Sequence, residues 1–248
     1  MPKFFVPKEN ISEDKILICG EDVAHIKKVL RYCEGDKLCL CDGAGTDYVA
    51  QIVDLLDKEI ICSITSKQKA DTEAKISVTL YQGLPKASKM DYIIQKTTEL
   101  GIVKIVPCIM SRCVVKIDNK KDAQKKQQRW QKIAEEAAKQ SGRGIIPEVS
   151  EPMTFSEAIE EMKKADICFA PYECEEEGRL KNVLTKKQNI KNISFIIGPE
   201  GGFDLSEIEK LKENKIDTVT LGKRILRTET AGEAVLSMIM YECGDINE

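Results

Sequence analysis

The first part of the chain alternates short apolar runs with turn residues. Between residues 15 and 65 these runs are KILICG, DKLCLCDG, TDYVAQIVDLL and EIICSIT. Brief apolar runs bounded by turn residues are typical of β-strands joined by tight connections. One insertion, DVAHIKKVLRY at 22–32, has helical spacing instead. The pattern predicts a small β-barrel-like domain.

The pattern changes after a polar segment at 65–75. This segment, TSKQKADTEAK, has no large apolar residue and no periodicity, as is typical of a domain linker. Beyond it, strands alternate with helices, the longest of which are predicted at about 86–100 and 120–140. Such alternation favours an α/β domain with a largely parallel sheet. We therefore place a boundary near residue 72, which gives domains of 1–71 and 72–248.

Three later strands end in proline or glycine. They are DICFAP, ISFIIG and DTVTLG, and they end at Pro171, Gly198 and Gly222. In open α/β sheets, ligands bind beyond the carboxyl ends of the strands. These three endings are therefore the first positions at which to expect a ligand.

The loop GPEGGF at 198–203 has glycines that allow the backbone to turn sharply and approach a ligand. Its spacing matches neither the P-loop nor the G-x-G-x-x-G dinucleotide fingerprint. Glu200 would repel a pyrophosphate, whereas it suits ribose hydroxyls or a cationic group, both of which S-adenosylmethionine offers. The alternative is a tight strand-to-helix turn that carries an exposed glutamate.

Two arginines, Arg224 and Arg227, precede a predicted helix. Thr230 and Glu233 fit a capping box at its start, so the arginines are expected on the loop before it. A cation is unfavourable at a helix N-terminus because the peptide dipoles leave partial positive charge there. We therefore expect something anionic nearby.

The predicted helix at 120–140 is basic. One apolar stripe comprises Trp130, Ile133, Ala134, Ala137 and Ala138. The remaining face carries Lys121, Lys125, Lys126, Arg129 and Lys132. Residues 86–143 hold 14 basic and 6 acidic side chains, whereas residues 148–248 hold 13 and 21. The basic face suits phosphates, or it is simply a solvated helix face.

The composition excludes several other classes of protein. The 248 residues carry a net charge of −3, ten scattered cysteines without a C-x-x-C pair, and a single histidine. We therefore expect reduced thiols and no metal site. The apolar runs are too short to span a bilayer, and the N-terminus does not resemble a signal peptide. A cytoplasmic location is expected, with no membrane partner.

Two C-terminal motifs carry a resemblance to a known family. FIIGPEGGF and LGKRILRTETA closely resemble the paired motifs of the RsmE family, the 16S ribosomal RNA uridine-N3 methyltransferases of the SPOUT class. The likeness extends upstream, in the family's order, to HIKKVLR, DGAG, IQKTTELG, the RC at 112–113 and RWQKIAEEAAKQSGR. It implies a PUA-like barrel that helps to hold RNA, followed by an α/β methyltransferase domain with a C-terminal trefoil knot.

The resemblance also implies the site. In the family, S-adenosylmethionine lies among the knot loops and is bound largely by backbone groups. Carried over, the cofactor-binding residues are Pro171, Ile197, Gly198, Glu200, Gly201, Gly202, Leu221, Gly222, Ile225, Leu226, Arg227 and Thr228. Leu221, Ile225 and Leu226 would form apolar walls for adenine, although this role is also compatible with plain core positions. The acidic run after Tyr172 departs from the family's pattern.

Methylation of uracil N3 removes an imide proton and spreads negative charge onto two carbonyl oxygens. A fixed cation beside the base would stabilise that charge. Arg227, and less directly Arg224, would hold the imide anion or a flanking phosphate. Glu229 is the candidate general base, but it also fits a helix-start carboxylate favoured by the dipole, and solvent is an alternative proton acceptor.

The RNA-binding prediction rests on basic side chains. It comprises Arg31, Arg112, Lys125, Lys126, Arg129, Arg143 and Arg224. Single arginines near element ends reach phosphates bidentately, or they form surface salt bridges. The target base must leave its stack, which requires contacts to the flanking backbone.

The expected partners are 16S rRNA in the small ribosomal subunit and a second copy of the chain. Three alternatives to this function stay open. They are a non-catalytic RNA-binding protein, a methyltransferase of the same fold with another target, and a Rossmann-type nucleotide enzyme. The missing dinucleotide spacing and Glu200 disfavour the last.

Overall fold

The computed structural model describes residues 3–117 and 119–246. The chain divides into two compact units. The first comprises residues up to 73 together with 138–146, and the second comprises 74–137 and 147 onwards.

The first unit is built on a five-stranded sheet. Its strands are β1 (Lys3–Phe5), β2 (Lys15–Cys19), β3 (Lys37–Cys41), β4 (Thr46–Leu55) and β5 (Glu59–Lys69). They are ordered β1-β3-β4-β5-β2, with β1 parallel to β3 and the other pairs antiparallel. A short helix, α1 (Glu21–Ala24), continues into a π-helical turn at His25–Val29. The strands predicted from the apolar runs, and the inserted helix, are confirmed.

The core of this unit comes from alternate strand residues and from the inserted helix. Fully buried apolar side chains include Phe4, Ile16, Ile26, Leu38, Leu40 and Ile60. In addition, the guanidinium of Arg143 pairs with the carboxylate of Glu73 at 2.6 Å. Arg143 is only 3% exposed. A buried, ion-paired guanidinium does not reach an RNA phosphate, so Arg143 has a structural role here and its predicted RNA contact is not supported.

The second unit is an α/β layer structure. Its strands are β6 (Ser77–Gly83), β7 (Lys104–Ile109), β8 (Glu148–Val149), β9 (Met153–Thr154), β10 (Ile167–Pro171), β11 (Asn192–Ile197) and β12 (Asp217–Val219). The order is β12-β10-β11-β6-β7-β8, with β9 beside β7, and every pair is parallel. The predicted largely parallel sheet is therefore confirmed.

Helices cover both faces of this sheet. They are α2 (Lys89–Glu99), α3 (Lys120–Ser141), α4 (Phe155–Met162), α5 (Leu180–Leu184), α6 (Leu205–Glu213) and α7 (Thr228–Cys243). Leu80 of β6 packs with α2, α5 and α7, whereas the next residue, Tyr81, packs with α4 and α6. The two-residue period of the strand thus divides the apolar side chains between two cores. Trp130 of α3 is 4% exposed and is a core residue.

The start of α7 differs from the sequence prediction. The helix begins at Thr228, with Arg227 in the N-cap position and no side-chain cap, so the predicted capping box at Thr230 is wrong. The amide of Ala231 already donates to the carbonyl of Arg227 at 2.8 Å, so helical hydrogen bonding starts before Thr230. Arg227 therefore stands at the helix end itself, whereas Arg224 precedes it on the loop.

Candidate functional site

A cavity of about 980 Å³ lies at the carboxyl ends of β10, β11 and β12. Its walls are three loops, at 171–179, 198–203 and 220–228, together with Lys89 of α2. All twelve residues predicted to bind cofactor line it: Pro171, Ile197, Gly198, Glu200, Gly201, Gly202, Leu221, Gly222, Ile225, Leu226, Arg227 and Thr228. The structure thus brings this group together, although binding itself stays a prediction.

The first loop is fixed by Glu175. Its carboxylate accepts hydrogen bonds from the amides of Glu177 and Gly178, each at 3.0 Å, and from the hydroxyl of Thr218. The bond from Thr218, together with the bond from the Gly178 amide, lowers the pKa of Glu175 to about 2. The carboxylate is therefore ionised at neutral pH, and it ties the acidic loop to the end of β12.

The glycine loop is a tight turn. The amide of Gly202 donates to the carbonyl of Pro199 at 2.9 Å, and Gly202 has φ of 68°, which favours glycine. Arg112 donates to the carbonyl of Gly201 at 3.0 Å and approaches Asp204 at 3.5 Å. The Arg112 predicted for RNA therefore supports this loop from outside, while its guanidinium stays partly exposed.

A buried chain of hydrogen bonds joins the glycine loop to α7. Thr228 donates its hydroxyl hydrogen to the carbonyl of Gly198 at 2.7 Å. The side-chain amide of Gln82, at the end of β6, donates to the hydroxyl of Thr228 at 2.9 Å. Sequence reasoning missed Gln82, although a polar residue near the end of an apolar strand was a signal available in the sequence.

Lys89 is a second residue that sequence reasoning missed. Its Nζ lies 3.2 Å from Glu200 Oε1 and 3.3 Å from Glu229 Oε2. Burial by itself would raise the pKa of Glu200, but the amide of Lys86 and the ammonium of Lys89 together lower it. A lysine in the first turn of a predicted helix was the available signal, because a cation is unfavourable there.

Arg224 and Arg227 are exposed at the mouth of the cavity. Within residues 3–117 and 119–246, neither guanidinium forms an ion pair. Two unpaired cations beside a cavity attract an anionic ligand or an RNA phosphate. Their role toward an anion stays a prediction, and only Arg224 lies on the loop before α7 as the sequence predicted. Glu229 is half-buried and directly follows the lining residue Thr228 in the chain.

The remaining predicted RNA residues lie elsewhere. On α3, Lys125 is exposed, Lys126 pairs with Asp122 at 2.6 Å, and Arg129 forms a bidentate pair with Asp91 at 2.7 and 2.9 Å. None of the three lines the cavity. Arg31 belongs to the first unit, where it is exposed.

The lining suits S-adenosylmethionine. Ile197, Leu221 and Leu226 offer apolar surface for an adenine ring. The carboxylates of Glu173, Glu175, Glu176 and Glu200 line the same cavity. They complement a sulfonium, an ammonium and ribose hydroxyls, whereas they would repel a pyrophosphate. The carboxylate acceptors and the apolar walls therefore fit this cofactor and disfavour a dinucleotide.

Within the described residues, no helix is long and apolar enough to cross a membrane. No group of three or more His, Cys, Asp or Glu residues within 3–117 and 119–246 is placed to hold a metal ion.

Comparison with known proteins places the chain in a family. An RNA methyltransferase domain family matches residues 72–240, and an RNA methyltransferase PUA domain family matches residues 18–65. The ribosomal RNA small subunit methyltransferase E of Bacillus subtilis (strain 168) is 36% identical over 249 residues, which cover 98% of this chain and 97% of that protein. The protein of the same name from Mesomycoplasma hyopneumoniae (strain 232) is 31% identical, with 96% and 98% covered.

A solved structure supports the same family. The crystal structure of a ribosomal RNA small subunit methyltransferase E from Neisseria gonorrhoeae bound to S-adenosyl methionine superposes with a TM-score of 0.87, at 32% identity and 99% coverage of both chains. The α/β methyltransferase fold with a PUA-like domain, and the resemblance drawn from the motifs, are both confirmed. The chain belongs to the ribosomal RNA small subunit methyltransferase E (RsmE) family of RNA methyltransferases.

Proposed function

We propose that this protein transfers a methyl group from S-adenosylmethionine to N3 of a specific uridine in 16S rRNA. The proposal rests on one cavity at the carboxyl ends of three parallel strands, which is lined by all twelve residues expected from the sequence to bind cofactor. Family membership supplies the reaction and the cofactor.

The chain's own residues do three things in this reaction. The loops at 171–179, 198–203 and 220–228 bind and orient the cofactor, which supplies an electrophilic methyl group when bound. Arg227, assisted by Arg224, stabilises the negative charge that develops on the uracil carbonyl oxygens or holds a flanking phosphate. Glu229 accepts the imide proton directly or through solvent. Its Oε2 is buried and lies 3.3 Å from the ammonium of Lys89.

The knot belongs to this proposal as well. The segment at 178–179 pairs with Thr220, whose amide donates to the carbonyl of Gly178 at 2.8 Å. A Cβ on Gly178 would lie 2.2 Å from the carbonyl oxygen of Thr218. The chain then continues to Thr228, which bonds to Gly198 in the neighbouring loop. These close contacts among three loops support a C-terminal trefoil knot.

The two domains have separate roles in the proposal. Residues 1–71 form a PUA-like barrel, built on the five-stranded sheet, that helps to hold RNA. Residues 72–248 carry out methyl transfer. The side chains that contact phosphates are those of Arg31, Lys125, Lys126 and Arg129. For this contact, Lys126 leaves Asp122 and Arg129 leaves Asp91, and each binds a phosphate instead.

The substrate is 16S rRNA in the assembled or nearly assembled small subunit, which places the protein in the cytoplasm. The enzyme acts as a homodimer. Each active site combines the RNA-binding surface of one chain with the cofactor bound by the other. A strictly monomeric variant is expected to lose activity, and full activity of such a variant would refute the dimer.

The test of the reaction is nucleoside analysis by mass spectrometry. Cells that lack the protein are expected to lose N3-methyluridine from 16S rRNA, and a plasmid-borne copy is expected to restore it. Unchanged N3-methyluridine in the deletion strain would contradict the uridine assignment and direct attention to other modified bases.

A further inference from the structure

Lys89 is the first residue of α2, where the helix dipole makes a cation unfavourable. Ser88, in the N-cap position, makes no side-chain capping bond. The charge of Lys89 is instead balanced by two carboxylates that are distant in sequence, Glu200 at 3.2 Å and Glu229 at 3.3 Å. Ion pairs of this kind link separate segments of the chain and contribute little to the stability of the helix that carries the lysine.

The bridge joins three segments that meet at the cavity. Glu200 belongs to the glycine loop, and its Oε1 also accepts the amide hydrogen of Lys86 at 2.9 Å. Glu229 is the second residue of α7 and follows the lining residue Thr228 directly. Lys89 itself lines the cavity. One ammonium therefore holds the glycine loop and the start of α7 against the start of α2.

The two carboxylates depend on this ammonium. Glu229 Oε2 is buried with the Lys89 ammonium 3.3 Å away, and the side chain of Glu200 is 25% exposed. Without Lys89, two partly buried negative charges would lie close to each other and repel. The loop and the helix end that carry them would then move apart, and the cavity between them would change shape.

We propose that Lys89 is a positioning residue for cofactor binding, which holds Glu200 and Glu229 together and thereby fixes two walls of the cavity. The inference rests on the proposed function, because it requires S-adenosylmethionine to bind in this cavity. It assigns Lys89 no contact with the cofactor; the lysine acts through the two glutamates.

The matched control is Lys86, which lies three residues away and is exposed. It contributes only its backbone amide to Glu200, so K86M removes a charge but keeps that bond. By isothermal titration of S-adenosylmethionine, K89M is expected to bind about tenfold more weakly than the wild type, because contacting residues couple on this scale. K86M is expected to stay within about twofold, and K89R, which can span both carboxylates, to recover most of the affinity.

The background variant E200Q/E229Q separates positioning from direct contact. It removes both charges that Lys89 holds, so adding K89M to it is expected to change the affinity by less than about twofold. A tenfold loss that persists in this background would mean that Lys89 contacts the cofactor itself and would overturn the inference. Equal affinities of K89M and the wild type would also overturn it.

If the proposed function is wrong, the binding titrations give a different result. If the wild-type protein does not bind S-adenosylmethionine at all, the cofactor assignment falls, and the inference about Lys89 falls with it. If the wild type binds and only the expected differences among the Lys89 variants are missing, the proposed function stands and the inference alone is wrong. Thermal unfolding of each variant, with transitions well above the titration temperature, excludes loss of fold as the cause.

Discussion

Thr228 donates its hydroxyl hydrogen to the carbonyl oxygen of Gly198 at 2.7 Å and so ties the start of α7 to the glycine loop. The two residues are 30 positions apart in sequence, and both line the cavity. Gln82 completes the arrangement by donating to the same hydroxyl from the end of β6. The cofactor motifs are thus held together by a buried polar chain as well as by apolar packing.

The first prediction concerns this hydrogen bond. T228V keeps the shape of the side chain but removes the hydroxyl that donates to the Gly198 carbonyl and accepts one hydrogen of the Gln82 amide, whose other hydrogen bond, to the Gly83 carbonyl, remains. Buried polar groups without partners cost about 1–3 kcal/mol. We expect a loss of that size in the free energy of unfolding, measured by urea denaturation, and weaker binding of S-adenosylmethionine.

The control is T230V, two residues further on. Thr230 is exposed and does not cap the helix, so its replacement is expected to change stability by less than about 0.5 kcal/mol. If T230V proves as costly as T228V, the helix start described above is wrong.

The second prediction concerns Arg227. R227M is expected to lower kcat for methyl transfer about 100-fold, because it removes a cation from developing negative charge. The Kd for S-adenosylmethionine is expected to rise far less than kcat falls, since the charge that Arg227 stabilises develops on the uracil only during methyl transfer. Single-turnover kinetics and a binding titration separate these two effects. K210M, on the exposed face of α6, serves as the control, and a loss in R227M confined to cofactor affinity would contradict the role assigned.

The third prediction concerns the basic face of α3. K125M removes an exposed ammonium that forms no ion pair within the described part of the chain. If Lys125 contacts a phosphate, the slope of log K against log salt for small-subunit binding falls by about 1. K164M, two residues beyond the end of α4, removes an exposed lysine that pairs with Glu161 and is expected to leave the slope unchanged. Equal slopes for K125M and the wild type would remove Lys125 from the RNA-binding surface.

The fourth prediction is a pH dependence. The pKa of Glu175 is lowered from 4.5 to about 2 by its hydrogen bonds to Thr218 and to the Gly178 amide. A carboxyl group with a depressed folded-state pKa contributes stability above its unfolded-state pKa and loses it as the pH falls. Its contribution is therefore complete above about pH 4.5 and disappears toward pH 2.

Thermal unfolding measured across this range tests the assignment. E175Q is expected to be less stable than the wild type at pH 6, and the difference is expected to shrink as the pH falls. A difference that is constant with pH would show that the carboxylate charge of Glu175 does not carry the effect.

Sequence patterns predicted much of this structure because strand and helix formation depends on residues that are close together in the sequence. Apolar runs ending in Pro171, Gly198 and Gly222 indicated parallel strands and the edge at which a cavity forms. The stripe around Trp130 indicated which face of α3 is buried. Both features depend on residues that are neighbours along one strand or one helix.

What the sequence did not reveal depends on contacts across long separations. Lys89 and Glu229 are 140 positions apart, and no local pattern links them. Thr230 fitted a capping box, but the carbonyl of Arg227 already accepts a helical hydrogen bond, so tertiary structure determined the start of α7. Arg143 resembled a surface arginine in sequence, and only the fold shows that it is buried against Glu73.

The most direct test of the central claim is methyl transfer in vitro. Small subunits from cells that lack this protein are incubated with the purified protein and methyl-deuterated S-adenosylmethionine, and the 16S rRNA nucleosides are then analysed by mass spectrometry. Deuterium-labelled N3-methyluridine is the expected product. Label on another nucleoside, or no label at all, would contradict the account.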